Sequence, residues 1–227
     1  MMNRLSSVKT MQEADRRAIF ELGIPGSVLM YNAAKSVCDF ILSRYPDKEK
    51  IGILCGKGNN AGDGFAIAHI LNMAGKSVTG IALAKPIDYI NDAKIYLQVC
   101  LNQKLDIKFP MTTDECVEET KKLHEYDLIV DALLGTGTKG NVREPFLSVI
   151  NNIPDKVPII AVDLPSGLNG DTGEICGVCV KAQATVTFAA PKTGMIGKEQ
   201  LTGELIVADI GMPKMCLLDD LWTKFKE

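Results

Sequence analysis

Apolar residues recur along this chain with two periods. Leu29, Ala33, Val37 and Ile41 return every four positions and so share one helical face. Thr10-Met11-Gln12-Glu13 has the form of a capping box, opening an earlier helix that should stop at Gly23, just before Ile24-Pro25. Ile51-Gly52-Ile53-Leu54-Cys55 is a short continuous apolar run, the pattern of a strand covered on both faces. After a glycine-rich turn, Ile67, Ile70, Leu71 and Ala74 mark a helix closed by Gly75. Further strands are predicted over Val78 to Ala84, Asp127 to Asp131, Pro158 to Asp163, Ala184 to Phe188 and Glu204 to Asp209. Between them, Asp88 to Leu101 should be helical with Ala93, Leu97 and Cys100 inward, and Thr112-Thr113-Asp114-Glu115 offers a second capping box, opening a helix to about His124. Strands alternating with helices of this length predict an α/β protein with a mostly parallel, doubly wound sheet. Leu217 to Phe225 forms a short amphipathic tail.

Composition narrows the class. The 227 residues suit one domain: a helical segment over 1–46, an α/β core over 47–213 and a tail over 214–227. Hydrophobic residues at 46% and charged residues at 23% can fill a core, which excludes disorder and small disulfide scaffolds. Twenty-five basic against 28 acidic side chains give a net charge of −3, with no basic excess for a nucleic acid. No apolar run approaches the roughly 20 residues of a membrane span, and the N-terminus lacks the apolar stretch of a signal peptide. Seven scattered cysteines fit reduced thiols, so a cytoplasmic location is expected.

In an open parallel sheet, ligands bind beyond the carboxyl ends of the strands. Three predicted strand ends here carry polar, glycine-rich loops. The first is Gly56-Lys57-Gly58-Asn59-Asn60-Ala61-Gly62-Asp63-Gly64, matching G-x-G-x-x-A. The second runs from Asp131 through Gly135-Thr136-Gly137-Thr138-Lys139-Gly140, matching G-x-G-x-x-G. The third is Asp163-Leu164-Pro165-Ser166-Gly167. Glycines at such turns let backbone N–H groups approach a phosphate, and a following helix N-terminus adds positive potential. Asn59, Asn60, Asp63, Asp131, Asp163 and Ser166 supply an almost purely oxygen donor set, which suits a hard cation and disfavours zinc or copper. Taken one at a time, such residues more often brace turns; three neighbouring strand ends carrying them together point to a site.

Other signals carry less. Gly75-Lys76-Ser77 resembles a P-loop ending, but Ile70 stands where a glycine is required. Cys176 and Cys179 have no second pair to complete a zinc site. Ser166 lacks the nucleophile elbow, since Leu164 occupies the first glycine's place, and neither His69 nor His124 follows a strand. The second strand ends Ala84-Lys85-Pro86, without the acid that holds a dinucleotide ribose in dehydrogenases.

With these segments together, the sequence resembles the NAD(P)H-hydrate epimerase family, the YjeF N-terminal domain type. The match rests on the loop from Gly56 to Gly64; on Asp131 to Gly140 with Val142-Arg143-Glu144-Pro145-Phe146; on Val162 to Leu168 with Asp171-Thr172-Gly173; and on Thr185 to Phe188 with Pro191-Lys192. Met11, Asp15, Gly23-Ile24-Pro25 and Leu29-Met30 extend it, so that it spans about Met11 to Pro213. Ala61 stands where the family usually has glycine, and Tyr31 where an acid is common.

The resemblance implies a Rossmann-like three-layer αβα sandwich that repairs hydrated NADH and NADPH by interconverting the R and S forms at C6 of the nicotinamide, alongside a separate dehydratase. It implies one potassium ion per subunit, held by Asn60, Asp131 and Ser166, and a homodimer. It places the substrate against Asn59, Asn60, Ala61, Gly62 and Asp63, against Gly135, Thr136, Gly137, Thr138, Lys139, Gly140 and Asn141, and against Asp163. Chemically, the ring nitrogen can help expel water from C6, and the planar iminium can be hydrated on either face. A carboxyl must then protonate the leaving hydroxyl and deprotonate the incoming water, and Asp163 is the candidate. Two other readings stay open: a non-catalytic module of the same fold, and a conventional nucleotide-dependent oxidoreductase.

Overall fold

The computed structural model describes residues 5–138 and 140–226. Seven strands are found among them: β1 (Lys50–Cys55), β2 (Ser77–Ala82), β3 (Asp106–Lys108), β4 (Leu128–Ala132), β5 (Ile159–Val162), β6 (Ala184–Phe188) and β7 (Glu204–Ala208). They form one all-parallel sheet in the order β3-β2-β1-β4-β5-β6-β7. The winding runs outward from β1 through β2 to β3, then returns to β4 on the other side of β1. The switch point therefore lies between β1 and β4, where Leu54 pairs with Asp131 and Cys55 with Ala132.

Helices cover both faces. On one lie α1 (Val8–Arg16), α2 (Gly26–Arg44), α3 (Asn59–Met73) and α4 (Asn91–Asn102). Their inward residues, including Leu29, Ala33, Val37, Ile41, Phe65 and Leu97, share a core with Ile51, Ile53, Val130 and Val186 of the sheet. On the other lie α5 (Thr113–Lys121) and α6 (Phe146–Asn151), packed with Leu54, Ile81 and Ile129. The alternation of Ile53 and Leu54 between these clusters is the period of two expected of a strand buried on both sides. The short helices α7 (Glu199–Thr202), α8 (Lys214–Leu217) and α9 (Asp219–Lys226) complete the chain. No described helix is long and apolar enough to cross a membrane.

Several local expectations shift. Ser7, not Thr10, caps α1: its hydroxyl accepts from Thr10 N at 3.0 Å. Glu13, drawn to Arg16 and Arg17, is taken from the role of reaching back. A π-helical turn, Arg17–Glu21, carries α1 on towards Gly23, which ends it at φ +74°. The predicted helix from Asp88 begins instead at Asn91, after a 3₁₀ turn over Pro86–Asp88. The Thr112 box is present as expected, with Glu115 bonding back to Thr112 N. The tail docks on the first helical segment, where Arg17 donates to Cys216 O, pairs with Asp219 and stacks over Trp222.

Candidate active site

The carboxyl ends of β1, β4 and β5 open into one cavity of about 730 Å³. Asn59, Asn60 and Asp63 line it from α3, Gly135, Thr136, Gly137, Thr138 and Asn141 from the loop after β4, and Asp163 from the end of β5. Three strand ends thus converge on one space, as doubly wound topology requires at its switch point.

The first glycine-rich segment is more helix than loop. Only Gly56 to Gly58 is open turn; α3 begins at Asn59 with Gly58 as its N-cap and no side-chain cap. Ala61 N and Gly62 N both point to Gly58 O, at 3.1 and 3.4 Å, so the free first-turn N–H groups belong to Asn59 and Asn60. Ala61 and Gly62, both expected to face the substrate, do not line the cavity. Ala61 is fully buried, and a Cβ on Gly62 would lie 2.6 Å from Met30 Cε and 2.9 Å from Ala93 Cα. Gly64 meets the sheet as closely, 2.8 Å from Cys55 Sγ. These two close approaches, to helices on one side and sheet on the other, fix where Asp63 between them points.

The second glycine-rich segment has no helix at its end, so it offers backbone groups without a helix terminus. Thr138 N and Oγ1 close a turn on Gly135 O. The next helix, α6, starts only at Phe146. Gly140 does not line the cavity, and Lys139 lies outside the described residues.

Beneath the cavity Asp131 and Ser166 are buried and tied together. Asp131 accepts from Ser166 N at 2.8 Å, Ser166 Oγ at 2.5 Å and Leu133 N at 3.2 Å. Ser166 Oγ accepts from Leu134 N, and Asn60 Nδ2 donates to Leu134 O at 3.2 Å. The three residues expected to share a cation are therefore joined through the backbone of Leu134. Burial pushes the Asp131 carboxyl up to about 6 against the pull of the Ser166 donors. Among the described residues no Lys or Arg pairs with it. A buried carboxylate whose partners are neutral, with the Ser166 hydroxyl on it and the Leu134 carbonyl beside that hydroxyl, is chemistry that fits a hard monovalent cation.

At the far end of the cavity, Asp163 adopts φ +67°. Its Oδ1 accepts from Thr187 Oγ1 at 3.1 Å, from Phe188 N at 3.2 Å and from the ammonium of Lys192. Lys192 is only 1% exposed, held also by Thr187 Oγ1 at 2.9 Å. All three donors take the same oxygen, and among the described residues Oδ2 has no partner. Asp15 of α1 is open to solvent on one side, yet surrounding protein and the charge of Asp163 push its carboxyl up to about 6. Asp63 is pushed well above the ordinary range, first by burial, then by Asp163 and Asp15. Gln12, Lys57, Arg143 and Phe146 also line the cavity. In the sequence Lys192 and Asp15 match only a family pattern; no local signal ties them to Asp163, 29 residues before Lys192.

A seven-stranded, doubly wound α/β domain with free N–H groups at a helix start and a carboxylate cluster at its switch point has a Rossmann-like architecture with a small-molecule cavity. The chain belongs to the family described as YjeF-related protein N-terminus, whose model matches residues 26–194. It is 37% identical over 202 residues to the NAD(P)H-hydrate epimerase of Limosilactobacillus fermentum, covering 88% of this chain and 93% of that one. It is 41% identical to the bifunctional NAD(P)H-hydrate repair enzyme Nnr of Moorella thermoacetica, matching 92% of this chain but 41% of that longer one. The crystal structure of the yeast protein ynu0 superposes with a TM-score of 0.76 at 23% identity, covering 87% of this chain and 86% of that one, and so shares the fold.

Proposed function

We infer that this protein is an isomerase that interconverts the R and S forms of hydrated NADH and NADPH at C6 of the nicotinamide ring. The observation that carries this is the single cavity in which the free N–H groups of α3 lie at one part of the wall and Asp163 at another. The first suits the pyrophosphate of a dinucleotide, with the Gly135 to Asn141 loop beside it. The second suits the hydrated ring. Family membership and the epimerase names of the relatives support the same reading.

The chain's own residues then divide the work. Asn59 and Asn60 N–H groups, with Arg143 and Lys57 on the wall, hold the phosphates. Lys192, Thr187 and Phe188 N fix Asp163 with Oδ2 free, an arrangement suited to a carboxylate that takes a proton from water arriving at C6. Asn60 Oδ1, Asp131 and Ser166 would hold a potassium ion. When bound, that ion supplies the counter-charge Asp131 otherwise lacks and adds positive potential to the cavity floor. A homodimer working in the cytoplasm belongs to the same reading, and sedimentation reads the first part of it.

The test uses aged, partly hydrated NADH. The protein should bring an unequal R:S ratio to equilibrium by chromatography with no oxidation of fresh NADH. An unchanged ratio would overturn the assignment.

A further inference from the structure

We propose that Asp63 is a second catalytic carboxyl: it gives a proton to the hydroxyl leaving C6 on one face of the ring, while Asp163 takes a proton from the water arriving on the other. This rests on the epimerase reading and goes further, because epimerisation makes a demand that one carboxyl meets poorly. The oxygen that departs and the oxygen that arrives lie on opposite faces of a flat iminium. A single side chain reaches both only if the ring turns over between the two steps. Two side chains from different elements reach both without it.

The structure supplies two, and makes them unlike. Asp163, after β5, has three donors on one oxygen, including the buried Lys192 ammonium. Asp63, on α3, lines the same cavity and receives no hydrogen bond from any described residue. Around it stand Asp15 from α1, Asp163 from the end of β5, Lys192 after β6 and, from α4, Tyr96, whose own proton affinity Asp63 helps to raise. Burial, Asp163 and Asp15 push Asp63 towards holding its proton against the pull of one lysine, while one oxygen of Asp163 is engaged by the Lys192 ammonium and two further donors. Carboxyls whose surroundings separate them in this way take the acid and base roles. The close approaches at Gly62 and Gly64, on opposite sides of α3, fix the stretch of helix backbone that carries Asp63.

The step balances. Asp63 O–H protonates the C6 hydroxyl, the C6–O bond breaks, and the ring nitrogen lone pair forms C=N as water departs. Water then adds to the opposite face, the C=N pair returns to nitrogen, and its proton passes to Asp163. The net change is inversion at C6 with one proton moved from Asp63 to Asp163. It returns through solvent.

Asp63→Asn keeps the shape and removes the transferable proton. Its kcat for R:S interconversion should fall about 100- to 10,000-fold with KM changed less than about threefold. In the native protein kcat should decline on the alkaline side as Asp63 loses its proton, and the residual rate of Asp63→Asn should lack that decline. A variant rate within tenfold of native, a rise in KM alone, or a native kcat that stays flat into alkaline pH would each overturn the proposal. The native measurement stands even if the variant fails to fold. Should the native protein not move the R:S ratio at all, it is the epimerase assignment that fails.

Discussion

At the scale of single residues, the Asp163–Lys192 pair has the largest consequence. Lys192 is 1% and Asp163 14% exposed, so removing the lysine strands a charge away from water. Breaking a buried pair by losing one partner costs about 3–5 kcal/mol. Lys192→Met should therefore lower the urea midpoint strongly. Adding Asp163→Asn in the same chain should restore part of the loss, because the stranded charge is gone; a double variant no better than the single would contradict a direct pairing. Ser166→Ala is a milder probe. It removes the donor 2.5 Å from Asp131 and one proposed cation ligand, at a cost of about 1–3 kcal/mol. It should also abolish any rise in melting temperature that potassium gives over choline. Asp131, Asp163 and Ser166 were legible in the sequence because each stands at or just past the end of an apolar run. Lys192 was not, since the contact that gives it meaning spans 29 residues and depends on β5 and β6 lying side by side.

At the scale of elements, α3 shows why one glycine differs from the next. A Cβ on Gly64 would sit 2.8 Å from Cys55 Sγ and 2.9 Å from Ala132 Cβ. Gly64→Ala should then cost about 1–3 kcal/mol through overpacking, read as a lower denaturant midpoint. Gly58 has open space around it and heads α3 at φ −90°. Gly58→Ala should change stability by less than about 1 kcal/mol while weakening dinucleotide binding, because the new methyl enters the cavity. A larger stability loss at Gly58 than at Gly64 would contradict this account of the helix. The long periodic elements could be read directly: α2, β1, β4 and β6 lie within a residue or a few of expectation, since their burial is strongly patterned. β3 escaped, being three residues long, polar and at the sheet edge, with no alternation to detect. α6 escaped too, as six residues after a proline make too little pattern for a helix. At Thr10 the signal was present but a competing hydroxyl, Ser7, one turn earlier, took the cap.

At the scale of the whole molecule, strand order and charge distribution make a joint statement about pH. The winding reversal between β1 and β4 gathers the carboxyls of Asp63, Asp163 and Asp131 at one end of the sheet, and α1, clamped by Ser6 on Pro191 and by the tail on Arg17, adds Asp15. Asp15 and Asp131 are pushed up to about 6 and Asp63 well above its usual range. From about pH 4, where a free carboxyl titrates, the unfolded chain releases protons that the native chain still holds. The unfolded state then binds fewer protons, and stability falls as pH rises through that window. At lower pH the sign reverses, because Glu13, held down to about 2 by Arg16, and Asp127, held down by the Lys50 and Glu49 amides, lose their contributions as they are protonated. The urea midpoint in choline buffer should thus be highest near pH 4 to 5 and decline towards pH 7. Asp63→Asn should flatten the decline by removing its own share. Potassium should flatten it separately, by favouring the ionised form of Asp131, and the two effects should add because the groups sit at different parts of the cavity. A midpoint that climbs steadily from pH 4 to 7 in choline would mean that these carboxyls are solvated in the native state, and would remove the physical basis for an acid and a base held apart in one pocket.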